Sequence, residues 1–157
     1  MPPPLLMDLE NVATASVIHD RESIYQMLPH RHEFQLLDGV CLLDQEKRDI
    51  VAFCDVTPND WWVKAHFPQR ALLPGVLMLE MAAHAAALMV RIFGHSDALI
   101  VFGGVDRCKF RDSVVPGSRL YILAHSIEIR SRRVIADTQG VVDGRIVFEA
   151  RVTGLMS

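Results

Sequence analysis

The stretch from Pro74 to Phe93 constrains the fold more than any other part of the chain. Its apolar residues, among them Val76, Leu77, Met81, Ala82, Ala85, Leu88 and Val90, leave no polar face, so a helix here must be covered on most sides. Pro74 suits a helix start, where a missing N–H does no harm, and Gly75 leaves the helix mouth without a side chain. Gly94 suits the closing cap. Glu80, His84 and Arg91 interrupt the run, and their cost in hydrocarbon argues against a membrane span.

The rest of the chain supplies a sheet to cover this helix. Strands are predicted at 34–43 and 49–56 around a polar turn at Asp44 to Lys47, then at 98–110, 119–129, 134–142 and 145–153, with Asp143-Gly144 as a hairpin turn. Ser23 to Leu28 reads as a short helix stopped by Pro29. Residues 57–73, with Pro58, Pro68 and the Trp61-Trp62 pair, show no sustained period and read as a long ordered loop. The expectation is an α+β fold, an antiparallel sheet curled around a central helix. Residues 1–21 are expected to be a loose arm and 22–157 a single domain.

Composition excludes several partners. A net charge of −3 without a dense Lys/Arg run gives no electrostatic reason to bind nucleic acid. Half of the residues are hydrophobic and mean hydropathy is +0.21, which predicts that a partner subunit covers part of the surface. Cys41, Cys54 and Cys108 form neither a ligand pair nor a disulfide framework, as expected in a reducing cytoplasm. The start lacks a signal-peptide pattern.

The chemistry is concentrated between Ala65 and Glu80. A loop histidine, His66, precedes the Pro74-Gly75 helix start, and Glu80 lies two turns into the apolar helix. An imidazole can remove a weakly acidic carbon proton, and a carboxyl group in an apolar setting can have its pKa raised until it donates one. N–H groups at the helix mouth can stabilise charge developing on a carbonyl oxygen. Singly, His66 and Glu80 are more economically read as a structural histidine and a solvated carboxylate. A carboxylate set within this helix is costly without a role.

His66-Phe67-Pro68 with Pro74-Gly75-Val76-Leu77 and Glu80 resembles the signature G-H-F-P-x-x-P-I-x-P-G-V-L-x-x-E of the FabZ family of 3-hydroxyacyl-acyl-carrier-protein dehydratases. Leu28-Pro29-His30-Arg31 and the stretch from Gly104 to Ser118 resemble the flanking motifs, so the likeness covers about Ile24 to Thr153. The resemblance implies a hot-dog fold and dehydration of acyl thioesters carried on acyl carrier protein, without a metal or other cofactor. It implies a homodimer whose two sites each pair His66 of one subunit with Glu80 of the other, and such dimers commonly form hexamers. His66 is then the base, Glu80 the acid and Gly75 N–H the oxyanion donor, with Phe67, Pro68, Val76 and His84 at the substrate. Glutamate at position 80 favours the FabZ side, because the related FabA branch has aspartate there.

His84 departs from the family's glutamine, and on a regular helix it should reach Glu80. Two other readings of the same fold stay open: a thioesterase, which needs a carboxylate placed to activate water, and a non-catalytic acyl-thioester-binding subunit. The His30-x-His32 pair is better read as structural than as metal-binding, since no further ligands complete it. Arg107, Lys109 and Arg111, or Arg130, Arg132 and Arg133, are candidate contacts for the carrier protein. The tryptophans read as loop anchors.

Overall fold

The computed structural model describes residues 3–157. A 3-10 turn at Val12–Thr14 leads to β1 (His19–Asp20) and α1 (Arg21–Met27), followed by a second turn at His32–Phe34. The hairpin β2 (Gly39–Asp44) and β3 (Asp49–Asp55) precedes α2 (Gly75–Ile92), and the remaining strands are β4 (Ile100–Phe110), β5 (Arg119–Ile129), β6 (Arg133–Val142) and β7 (Arg145–Met156). All seven strands form one antiparallel sheet in the order β1-β2-β3-β5-β6-β7-β4. The expected α+β architecture is present.

Strand alternation explains how the sheet holds the helix. Ile50, Ala52 and Cys54 of β3 and Leu120, Ile122 and Ala124 of β5 join the core with Met81, Ala82, Ala85 and Leu88 of α2. Burying one such leucine stabilises the fold by roughly 2 kcal/mol. The intervening residues Val51, Phe53 and Leu123 face the other way, into a second cluster with Val12 and the partly buried Leu6, Met7 and Leu9. Strands β3 and β5 are therefore covered on both faces, and β3 reads Ile50-Val51-Ala52-Phe53-Cys54 without polar alternation for that reason.

That second cluster corrects the expectation of a loose arm at 1–21. Leu6 N–H donates to the Gln139 side-chain oxygen at 2.9 Å, and the Gln139 amide donates to Pro4 O at 2.9 Å. Met1 and Pro2 of that arm lie outside the described residues.

Several predicted boundaries also move. The first strand of the hairpin begins at Gly39, because His32–Phe34 form a turn. Pro74 is the residue before α2 instead of its first helical one. Asp20 caps α1 by accepting from Ser23 N–H at 2.9 Å. After α2 it is His95, at φ 50°, and not Gly94, that takes the left-handed conformation. Gly94 is needed for space, since a Cβ there would stand 2.8 Å from Val90 O. At the β6–β7 turn, Asp143 and Gly144 have φ 49° and 75°, as two-residue hairpins require. Helix α2 alone among the described residues is long and apolar enough to cross a membrane, and it is mostly buried within the sheet.

Candidate active site

The loop before α2 is ordered by its own hydrogen bonds. Trp62, buried as expected of an anchor, accepts at its carbonyl from His66 N–H at 2.8 Å, and Leu72 N–H donates to His66 O at 2.8 Å. Trp61 is exposed. The His66 ring is placed by a contact of Nδ1 with Leu72 O at 2.8 Å. A carbonyl only accepts, so Nδ1 carries the hydrogen and Nε2 keeps its lone pair. Phe67 stacks on this ring at 4.1 Å.

The helix mouth lies at the end of the same loop. Leu77 N–H turns back to Pro74 O at 2.9 Å, whereas Gly75 and Val76 N–H have no acceptor among the described residues. A Cβ on Gly75 would stand 2.8 Å from the Phe110 ring, so that approach requires glycine. Val76 is 68% exposed, and Phe67, Pro68 and Phe110 are exposed too. Apolar surface of this kind around free N–H groups fits a thioester and its acyl chain.

Glu80 stands in the second turn of α2 and lines a cleft of about 70 Å³ with His30, His84, Ile100, Val101, Phe102 and Gly154. Its Oε1 lies 3.1 Å from His84 Nε2 and 3.8 Å from His30 Nε2. His84 thus reaches Glu80 as its helical spacing predicts. It is wholly buried, yet it lines the same cleft as Glu80. The expected rise in the Glu80 pKa is reversed. The hydrogen bond from His84 outweighs desolvation and holds the carboxyl below its usual range.

Two residues of this site were not assigned to it from the sequence. His30 packs its ring on His84 at a centroid separation of 3.8 Å. Burial, reinforced by His84, pushes its imidazole down to about 4. Arg31 ties the turn in place by donating to the carbonyls of Tyr25, Leu28 and His30. Tyr25, on α1, places its hydroxyl 3.0 Å from His84 Nδ1 and accepts from Leu37 N–H at 2.8 Å. The motif Leu28-Pro29-His30-Arg31 was the available signal for His30. Tyr25 had none, because its partner is 59 residues away.

The pair His30 and His32 is not brought together around a ligand: His32 lines a different cleft, beside Asp38 and Trp61. The ligand atoms of His30, Glu80 and His84 do lie within 4.8 Å of one another, a spacing that a divalent cation accepts. Their hydrogen bonding argues against it. Both nitrogens of His84 are already engaged, and His30 Nδ1 is buried with no acceptor to support ligation through Nε2. His66 does not line the cleft that holds Glu80. Of the candidate carrier contacts, Arg111 is paired with Glu149 and both Arg130 and Arg133 with Glu128. Arg107, Lys109 and Arg132 have no ion-pair partner among the described residues.

A long helix held in one antiparallel sheet, with a loop histidine before its mouth and a carboxylate in its second turn, defines a hot-dog protein with acid–base equipment. Solved structures agree on the fold. The dehydratase heterocomplex ApeI:P from Xenorhabdus doucetiae matches with a TM-score of 0.69 and 17% identity, over 85% of this chain and 90% of that one. A hypothetical thioesterase from Streptococcus pneumoniae, solved with coenzyme A, matches at TM-score 0.58 and 12% identity, over 75% and 84%. The FabA-like domain family matches residues 28–151. The 3-hydroxyacyl-acyl-carrier-protein dehydratase FabZ of Chlamydia pneumoniae is 38% identical over 88% of this chain and 92% of its own length. That of Protochlamydia amoebophila is 34% identical over 85% and 86%. The chain belongs to the FabZ branch of the FabA-like dehydratases.

Proposed function

We propose that the chain removes water from 3-hydroxyacyl thioesters on acyl carrier protein, forming the trans-2-enoyl thioester in fatty-acid synthesis. The observation that carries the assignment of roles is the polarity of His66. With Nδ1 spent on Leu72 O, Nε2 is left with a lone pair to act as a base, on the loop that leads into the helix mouth and its free N–H groups. His66 Nε2 takes the α-proton, Gly75 N–H stabilises the charge that develops on the thioester oxygen, and the carboxyl of Glu80 protonates the departing 3-hydroxyl. Glu80 must first gain a proton. A bound acyl chain favours this by excluding water from the cleft, which penalises the carboxylate. Phe67, Pro68 and Val76 cover the acyl thioester.

In this reading each site is shared by two subunits of a homodimer, His66 coming from one and Glu80 from the other. It is supported by the position of His66 outside the Glu80 cleft and by the exposed apolar edge strand β4. Dimers of this kind can build hexamers. A cytoplasmic location fits three cysteines that form no disulfide.

One observation favours thioester hydrolysis instead: a carboxyl held below its usual range is better suited to activating water than to donating a proton. The two readings separate in one assay. The dehydratase hydrates crotonyl and longer 2-enoyl thioesters, and His66→Asn or Glu80→Gln each lowers that rate by at least ~10²-fold with the fold intact. Release of free thiol from 3-hydroxyacyl thioesters, with no hydration, would assign hydrolysis.

A further inference from the structure

Resting on the dehydratase reading, we propose that Tyr25 is a positioning residue that fixes the hydrogen of His84 on Nε2, so that His84 donates to Glu80 Oε1 and leaves the acid proton on Oε2. The hydrogen bonds run in one direction. Leu37 N–H donates to the Tyr25 oxygen at 2.8 Å, so the Tyr25 hydrogen is free to point at His84 Nδ1, 3.0 Å away. A nitrogen that accepts from a hydroxyl carries no hydrogen of its own, so in the neutral ring the hydrogen sits on Nε2, 3.1 Å from Glu80 Oε1.

The polarity matters because the opposite tautomer would be harmful. With hydrogen on Nδ1, His84 Nε2 would present a lone pair to Glu80 and draw the acid proton to itself, away from the substrate. Reversal would also leave the Tyr25 hydrogen without an acceptor in a buried site. Burial keeps the phenol protonated at every relevant pH, so the donor is permanent. The titratable groups against His84 are Tyr25 from α1, His30 from the following turn and Glu80 on α2. Arg31 acts on His30, and the strands add no charged group to the cleft.

The test combines nitrogen-15 NMR of the histidine rings with a double-mutant cycle on full pH–rate profiles. In the wild type, His84 should show hydrogen on Nε2 and a bare Nδ1 across neutral pH. Tyr25→Phe should mix the two tautomers and lower kcat about tenfold with little change in KM. Tyr25→Phe also strips Leu37 N–H of its acceptor, but that loss is common to both arms of the cycle. In a His84→Gln background the added Tyr25→Phe should therefore change kcat less than about twofold. Equal losses in both backgrounds would reduce Tyr25 to a packing residue and overturn the proposal, as would a wild-type His84 with hydrogen on Nδ1. A wild type without hydration activity would sink the dehydratase reading instead, while the ring spectra would still decide the tautomer.

Discussion

Burial and the neighbouring His84 lower the His30 imidazole from 6.5 to about 4, which links this residue to stability. Unfolding restores the ordinary value, so between those limits the unfolded chain binds more protons and stability falls as pH falls. The loss from His30 is complete below its folded pKa. Glu80 acts in the adjoining window: its folded pKa is depressed, so its contribution is present above about 4.5 and is lost below. Melting temperatures measured from pH 7 to pH 3 should decline throughout. In His30→Gln the decline between about 6.5 and 4.5 should flatten, leaving the main loss to begin where Glu80 titrates. An unchanged slope in the upper window would mean that His30 titrates normally in the folded protein.

At this scale His66 and Glu80 were legible because loop histidine, helix mouth and helix carboxylate share one continuous stretch. The direction of the Glu80 pKa was not. Spacing placed His84 beside it, but the sign depended on whether desolvation or the hydrogen bond prevailed, which only packing determines. The partners of His84 were equally hidden, since Tyr25 and His30 approach from across the fold.

Among the elements, the β6–β7 hairpin depends on backbone conformation more than on contact. A Cβ on Gly144 meets nothing within 4 Å, yet the residue sits at φ 75°. Gly144→Ala should therefore cost about 1 kcal/mol in chemical unfolding while leaving activity unchanged. A neutral result would show that the turn relaxes to another type. Gly154 differs, because a Cβ there would stand 2.7 Å from Ile100 and 2.9 Å from Val134, on the strands at either side. Strand identity was legible from β-branched runs and turn residues. Strand order was not: β3 pairs with β5, and the edge strand β4 with the last strand, choices that sequence period does not encode.

For the whole molecule the edge matters most. Strand β4 is 11 residues long, and it exposes Val101, Phe102, Val105 and Phe110, a long apolar edge that soluble proteins seldom leave uncovered. Sedimentation should give at least a dimer at micromolar concentration, and Phe102→Glu should weaken the dimer and lower activity with it. Full activity in a stable monomer would contradict the shared site. Mixing His66→Asn with Glu80→Gln subunits should restore about a quarter of wild-type activity after statistical exchange, since half of the dimers then hold one intact site. No recovery after verified exchange would place the two residues in sites built within one chain.

The segment clasped by Gln139 has a consequence for how copies of this molecule can stack. By lying over Val51, Phe53 and Leu123, it turns the outer side of the sheet from a sticky plane into a sealed one. That plane is therefore not offered to further copies of the chain, so association between copies has to use other surfaces. Removing residues 1–14 should leave the central helix folded but unseal that plane, giving dye binding and concentration-dependent aggregation in light scattering. A truncated protein that stayed as dispersed as the parent would show that the seal is dispensable.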